Sequence, residues 1–154
     1  MKKLLFLFCL LSWSVLHAQK TINRPPFIAK ATETIEIAAI HLSDTATVVD
    51  VDAKFIPKNW IRIAPTTCLV ADNGERYQVR QGVGIELGQE FWMPESGEAT
   101  FSLIFPPLPA SVKSFDFVEG EGERDFNLFG ISLIGKLPKL QLPKDLGKVG
   151  KATA

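Results

Sequence analysis

Alternation of apolar and polar residues through Gly97–Leu133 constrains this chain more than any other feature. Ala99, Phe101, Leu103 and Phe105 fall on one side of a first run, and Phe115 and Phe117 on one side of a second. Phe129, Ile131 and Leu133 do the same in a third. Successive side chains of a strand point to opposite faces, so a two-residue period builds strands with one apolar side. The expectation is three strands lining one apolar wall, separated by a proline-rich break and an acidic turn.

The same period marks Thr45–Ile56, where Thr45, Thr47, Val49, Val51, Ala53 and Phe55 take one face and Asp50, Asp52 and Lys54 the other. That is an apolar-in, charged-out strand. Glu33–Leu42 alternates through Ile35 and Ile37 and changes phase near Ala38-Ala39, which predicts a bulge. Asp72-Asn73-Gly74-Glu75 is the strongest hairpin signal and should join Cys68–Ala71 to Arg76–Val79. Trp60–Ile63 and Val83–Leu87 read as short strands, with Arg80-Gln81-Gly82 as a break. Gly88–Gly97 reads as a loop. No segment after residue 18 sustains a helical period. Turn signals at short intervals favour a β-sandwich over alternating strands and helices.

Lys2 and Lys3 followed by the apolar run Leu4–Leu16 and a small residue at Ala18 have the layout of a secretory signal peptide, too short to span a bilayer. Cys9 lacks the small residue before it that a lipoprotein site wants. The expected mature chain starts near Gln19, is exported to the periplasm or beyond, and is long enough for one compact domain. Cleavage removes two of 17 basic residues, leaving 15 against 17 acidic ones. So small an imbalance gives no argument for nucleic acid or an anionic membrane as partner, and with an apolar run too short to span no stable membrane insertion is expected. Only Cys68 remains in the mature chain, so no internal disulfide can form and the fold rests on its core. A buried Cys68 is favoured over a reactive one. The expected organisation is a signal peptide at 1–18, an extended arm at 19–31, a sandwich at 32–135, and a Lys/Pro-rich linker or tail at 136–154. Arg24-Pro25-Pro26 in the arm suits a lead-in or an edge strand.

Chemistry-bearing patterns are sparse. Glu119-Gly-Glu121-Gly-Glu123-Arg124-Asp125 has carboxylates on a bending backbone, but its spacing is not that of an EF-hand and Arg124 opposes a cation. A solvated turn is favoured. Asp50 and Asp52 could pair as acid and base, yet Lys54 shares their face and a solvent-facing strand reads better. His41 is the only histidine of the expected mature chain, too few for a zinc site and without a motif partner for a nucleophile. Neither a metal nor another cofactor is expected. Trp92, between Phe91 and Met93, can anchor a partner or stack on a sugar. Plugging one end of the sandwich is the favoured alternative for Trp92, and Trp60 is expected in the core.

Several runs, in order, carry a family resemblance: Leu42-Ser-Asp-Thr-Ala-Thr-Val, Trp60-Ile-Arg-Ile, Gly84-Ile-Glu-Leu, Glu90-Phe-Trp-Met-Pro-Glu-Ser-Gly-Glu-Ala, Leu103-Ile-Phe-Pro-Pro-Leu-Pro and Lys113-Ser-Phe-Asp-Phe. Over Ile28–Leu142 the chain resembles the N-terminal β-domain of exported thioredoxin-like (TlpA-type) disulfide oxidoreductases of Bacteroides-type bacteria. In that family a domain with Cys-x-x-Cys follows; these 154 residues contain no Cys-x-x-Cys, so redox activity carries over to no residue here. The resemblance implies a thioredoxin-associated accessory module, with the lysine-rich tail as an interdomain linker or its remnant. The expected fold is therefore an all-β, immunoglobulin-like antiparallel β-sandwich. The expected function is non-catalytic: an interaction module whose partner is a thioredoxin-like domain or its client. The alternative is a module binding a surface glycan or other ligand through the loop around Trp92. The candidate contact residues are Phe91, Trp92, Met93, Glu119, Glu121 and Glu123.

Overall fold

The computed structural model describes residues 19–139; the expected signal peptide at 1–18 and the end of the expected tail, 140–154, lie outside the described residues. The described chain forms β1 (Lys20–Asn23), β2 (Ala29–Lys30), β3 (Ile35–Leu42), β4 (Thr47–Lys54), β5 (Trp60–Ile61) and β6 (Cys68–Ala71). It continues with β7 (Arg76–Gln78), β8 (Gln81–Val83), β9 (Phe91–Trp92), β10 (Glu98–Phe105), β11 (Ser114–Val118) and β12 (Asn127–Ser132). Two five-stranded antiparallel sheets run β1-β3-β4-β10-β8 and β2-β12-β11-β6-β7, and β5 pairs with β9 in a separate ladder. The orders β3-β4-β10-β8 and β7-β6-β11-β12 are the A-B-E-D and C′-C-F-G orders of an immunoglobulin-type sandwich. The expected all-β sandwich is the fold.

The period-2 runs supply the inner faces. Val49, Val51 and Ala53 of β4 and Phe101, Leu103 and Phe105 of β10 are buried. Leu69, Phe115, Phe117, Leu128 and Ile131 face them from the other sheet. Phe105 meets Phe117 edge-on with ring centroids 6.3 Å apart, a geometry that adds about 0.5–1.5 kcal/mol to simple burial. The three runs of Gly97–Leu133 thus do not line one wall. β10 belongs to one sheet and β11 and β12 to the other, so their apolar sides meet across the core.

The register slips in β3 between Ile37 and Ala39, where the sequence changes phase. A second slip is less legible. In β11–β12, Phe115 pairs Ile131 but Phe117 pairs Leu128. Gly130 sits within this slip at φ 63°, a conformation that glycine adopts without the cost a side chain adds. The bulge turns Leu128 inward and leaves Phe129, expected on the inner face, exposed. The Asn73-Gly74 hairpin joins β6 to β7 as expected, with Gly74 alone of the pair at positive φ. Gln81 and Gly82, part of the break expected at Arg80-Gln81-Gly82, join Val83 in the edge strand β8, and the rest of the expected strand, 84–87, is irregular.

The prolines at 25 and 26 mark edge strands. β1 edges one sheet and β2 the other, so the expected arm is stitched to both. On the opposite side β7 and β8 make the same crossing, with Val79 N–H bonded to Thr67 and Arg80 N–H to Ile104.

Candidate functional site

In an immunoglobulin-type order the B–C, D–E and F–G connections gather at one end. Here those connections are 55–67, 84–97 and 119–126. Phe55 N–H donates to Gly97 C=O at 2.9 Å, joining the first two. Gly88 N–H donates to Ile63 C=O at 2.8 Å and fastens them again. Ala64 N–H donates to Glu119 Oε1 at 2.9 Å and ties in the third. The two sequence stretches that held the candidate contacts are therefore brought to one end of the molecule.

The first two connections pair as β5 and β9, with Trp60 opposite Trp92 and Ile61 opposite Phe91. Met93 N–H donates to Asn59 C=O at 2.7 Å, which makes Trp60–Trp92 a non-hydrogen-bonded pair, the kind whose side chains come closest. Paired residues share a face. Ile61 is buried and half-buried Phe91 packs toward Phe101, with ring centroids 6.4 Å apart. Both tryptophans consequently point outward. Trp60 is 43% exposed and Trp92 60%, so Trp60 is not in the core and Trp92 does not plug the sandwich. The reason is phase: Ile61, Ile63 and Met93 are buried, which leaves Trp60, Arg62, Glu90 and Trp92 on the outer side. Met93, a candidate contact, is 3% exposed and belongs to the core.

The acidic turn divides similarly. Glu121 and Glu123 are exposed, as a contact surface requires. Glu119 is not free to meet a partner. Its Oε1 accepts from Ala64 and its Oε2 accepts from Phe126 N–H at 2.7 Å. Burial pushes its pKa up, and the Asp125 charge adds to this, against the two backbone bonds and the Arg62 charge. Asp125 Oδ2 accepts from Gly122 N–H at 2.7 Å and closes the turn on itself.

Sequence reasoning missed a second polar grouping, on the outer face of the first sheet. Thr21 Oγ1 lies 3.0 Å from His41 Nδ1, His41 Nε2 lies 2.7 Å from Asp50 Oδ2, and Ser102 Oγ donates to Asp50 Oδ1 at 2.7 Å. Burial raises the Asp50 pKa, but the bonds from Ser102 and His41 and the His41 charge outweigh it and hold the carboxyl below its usual range. Hydroxyl, imidazole and carboxylate stand here in the order of a nucleophilic triad. Thr21 and His41 are register partners in the β1–β3 ladder, so their contact is a cross-strand one. The chain of bonds instead fastens β1, β3, β4 and β10 together. Beside it, Arg24 Nη2 donates to Asp52 Oδ2 at 2.6 Å. The signal lay in tertiary register: His41 and Asp50 are diagonal neighbours on paired strands, a relation no linear motif encodes.

Cys68 is buried, as expected, with Arg76 Nη1 3.5 Å from its sulfur. Among the described residues no group of three or more His, Cys, Asp or Glu side chains could hold a metal ion, and no helix is long and apolar enough to cross a membrane. Comparison with protein-family models, with curated proteins and with solved structures gave no match to this chain.

Proposed function

We propose that this protein is a non-catalytic, exported accessory module that captures a protein partner with the end bearing Trp60 and Trp92, in the manner expected of the N-terminal β-domain of TlpA-type thioredoxin-like proteins. One observation carries the reading: two exposed tryptophans are register partners on the outer face of a two-stranded ladder, while the smaller Ile61 turns inward. Exposed tryptophan is the residue most often found at the energetic centre of protein interfaces. The ladder is held by backbone bonds to the sandwich, so the pair is presented on a rigid base. The thioredoxin association rests on the family resemblance of the runs around Trp60, Gly84–Leu87 and Glu90–Ala99.

The test is partner capture from an exported-protein fraction. Trp92→Ala should abolish specific capture while shifting the melting temperature little, since most of the indole is already in water. Equal capture by both proteins would refute the reading, and a large stability loss would return Trp92 to a structural role. Adjacent exposed indoles also favour a second reading, stacking on a sugar ring. Tryptophan fluorescence titrated with neutral oligosaccharides separates the two, because the protein-binding reading expects no response.

A further inference from the structure

We propose that the tryptophan-bearing end recognises a cationic segment of its partner, with a lysine or arginine side chain seated on the Trp60–Trp92 surface and the acidic loops as its rim. This rests on the protein-binding reading above and adds the chemistry of what is bound. The three connections at this end carry seven carboxylate residues, Glu86, Glu90, Glu95, Glu119, Glu121, Glu123 and Asp125, against Lys58, Arg62 and Arg124. The cations are already engaged in part. Lys58 Nζ lies 3.2 Å from Glu95, and Arg62 acts electrostatically on Glu119. Exposed Glu90, Glu121 and Glu123 remain as excess negative charge at this end of the molecule.

Their positions are compatible with one footprint. Glu90 shares the outer side of the β9 segment with Trp92. Ala64, to which Glu119 is bonded, is four residues beyond Trp60, at most about 14 Å along the chain. A single extended peptide can span the indoles and the acidic turn. An indole face attracts a cation through its quadrupole, most strongly for tryptophan, and arginine stacks on it with its planar group. A negative rim adds long-range attraction for the same cation and repels an acidic segment. A neutral sugar would gain nothing from that rim.

The experiment is isothermal titration of the protein with a peptide alternating lysine or arginine with leucine. The controls are its glutamate counterpart of equal length, neutral oligosaccharides, and sedimentation of the protein alone. The cationic peptide should bind and the glutamate peptide should not. Its affinity should fall as salt rises, because the screening length shrinks from about 10 Å at 0.1 M to about 3 Å at 1 M. Trp92→Ala should weaken binding about tenfold or more at unchanged melting temperature. Glu121→Gln with Glu123→Gln should weaken it less and flatten the salt dependence. Binding of the glutamate peptide or of oligosaccharide in preference, Trp92-dependent self-association, or an unaffected Trp92→Ala protein would overturn the inference. If the cationic peptide fails while Trp92-dependent partner capture persists, this inference falls and the interaction function stands; if both fail, both fall.

Discussion

Gly130 and Gly74 both hold positive φ, and their difference shows what a single residue contributes. A β-carbon at such a position costs about 1–2 kcal/mol through its own backbone. At Gly74 that is the whole cost, since nothing lies within 4 Å of the missing atom. At Gly130 the same atom would lie 2.5 Å from Ile28 Cδ1 and 3.0 Å from Ile28 Cβ, so rotation of the isoleucine cannot clear it. Gly130→Ala should therefore lower stability by about 1–3 kcal/mol more than Gly74→Ala, the usual cost of overpacking. Urea unfolding of both variants checks this, and an Ile28→Ala background should erase the excess. An excess that survives in that background would place the obstacle elsewhere. The same bulge explains why Phe129 was misread. Alternation assumes one residue per step, and the extra residue before Ile131 reverses the phase for Phe129; the glycine inside the run, Gly130, is the residue-type sign of that bulge.

At the scale of elements, the long strands showed their inner faces and the short pair β6–β7 was legible from its Asn-Gly turn, whereas the two-residue strands β5 and β9 gave no inner face. β4 and β10 run for eight residues each, long enough for the alternation to identify the inner face. β5 and β9 have two residues each, too few to define a phase, so aromatic bulk suggested burial where the ladder enforces exposure. The acidic turn and the Phe91–Met93 stretch were both singled out in the sequence. That they share one end follows from strand order, which residue types do not reveal. The cross-strand bonds from Thr21 to Ser102 depend on register in the same way. They also carry a pH signature. Asp50 has a folded pKa below its unfolded value, so its contribution is present above the ordinary aspartate range and is lost as pH falls through that range toward the lower folded pKa. Glu119, raised by burial, acts in the opposite sense, favouring the fold below the ordinary glutamate range and losing that contribution as pH rises toward its folded pKa. Urea midpoints of the protein should thus fall on acidification below about pH 4, near the reference aspartate pKa. Asp50→Asn should flatten that limb. A parallel acid limb in the variant would show that other carboxylates dominate it.

Taken as a whole, the sandwich is closed at its sides by two segments that each belong to both sheets. The β7–β8 crossing follows the hairpin directly, but the β1–β2 crossing comes from a proline-marked segment that composition alone separates from the domain. Its attachments are extensive. Lys20–Asn23 pairs along β3 from Leu42 to Ala39, and Ala29 and Lys30 pair with β12. Ser132 N–H donates to Pro26 C=O at 2.9 Å, and Lys20 Nζ donates to Leu133 C=O at 2.9 Å. Removing this segment would uncover the edges of β3 and β12 together. Unpaired strand edges are templates for pairing with another chain. A protein beginning at Ala31 should therefore unfold at a lower urea concentration than one beginning at Gln19, and should self-associate as its concentration rises. Sedimentation across a concentration series, read beside the urea midpoints, distinguishes the possibilities. Matching midpoints and a monomer throughout would make 19–30 a dispensable lead-in. A lowered midpoint with concentration-dependent association would make it the final strand pair of the sandwich, supplied from the front of the chain to cover edges that the rest of the sequence leaves open.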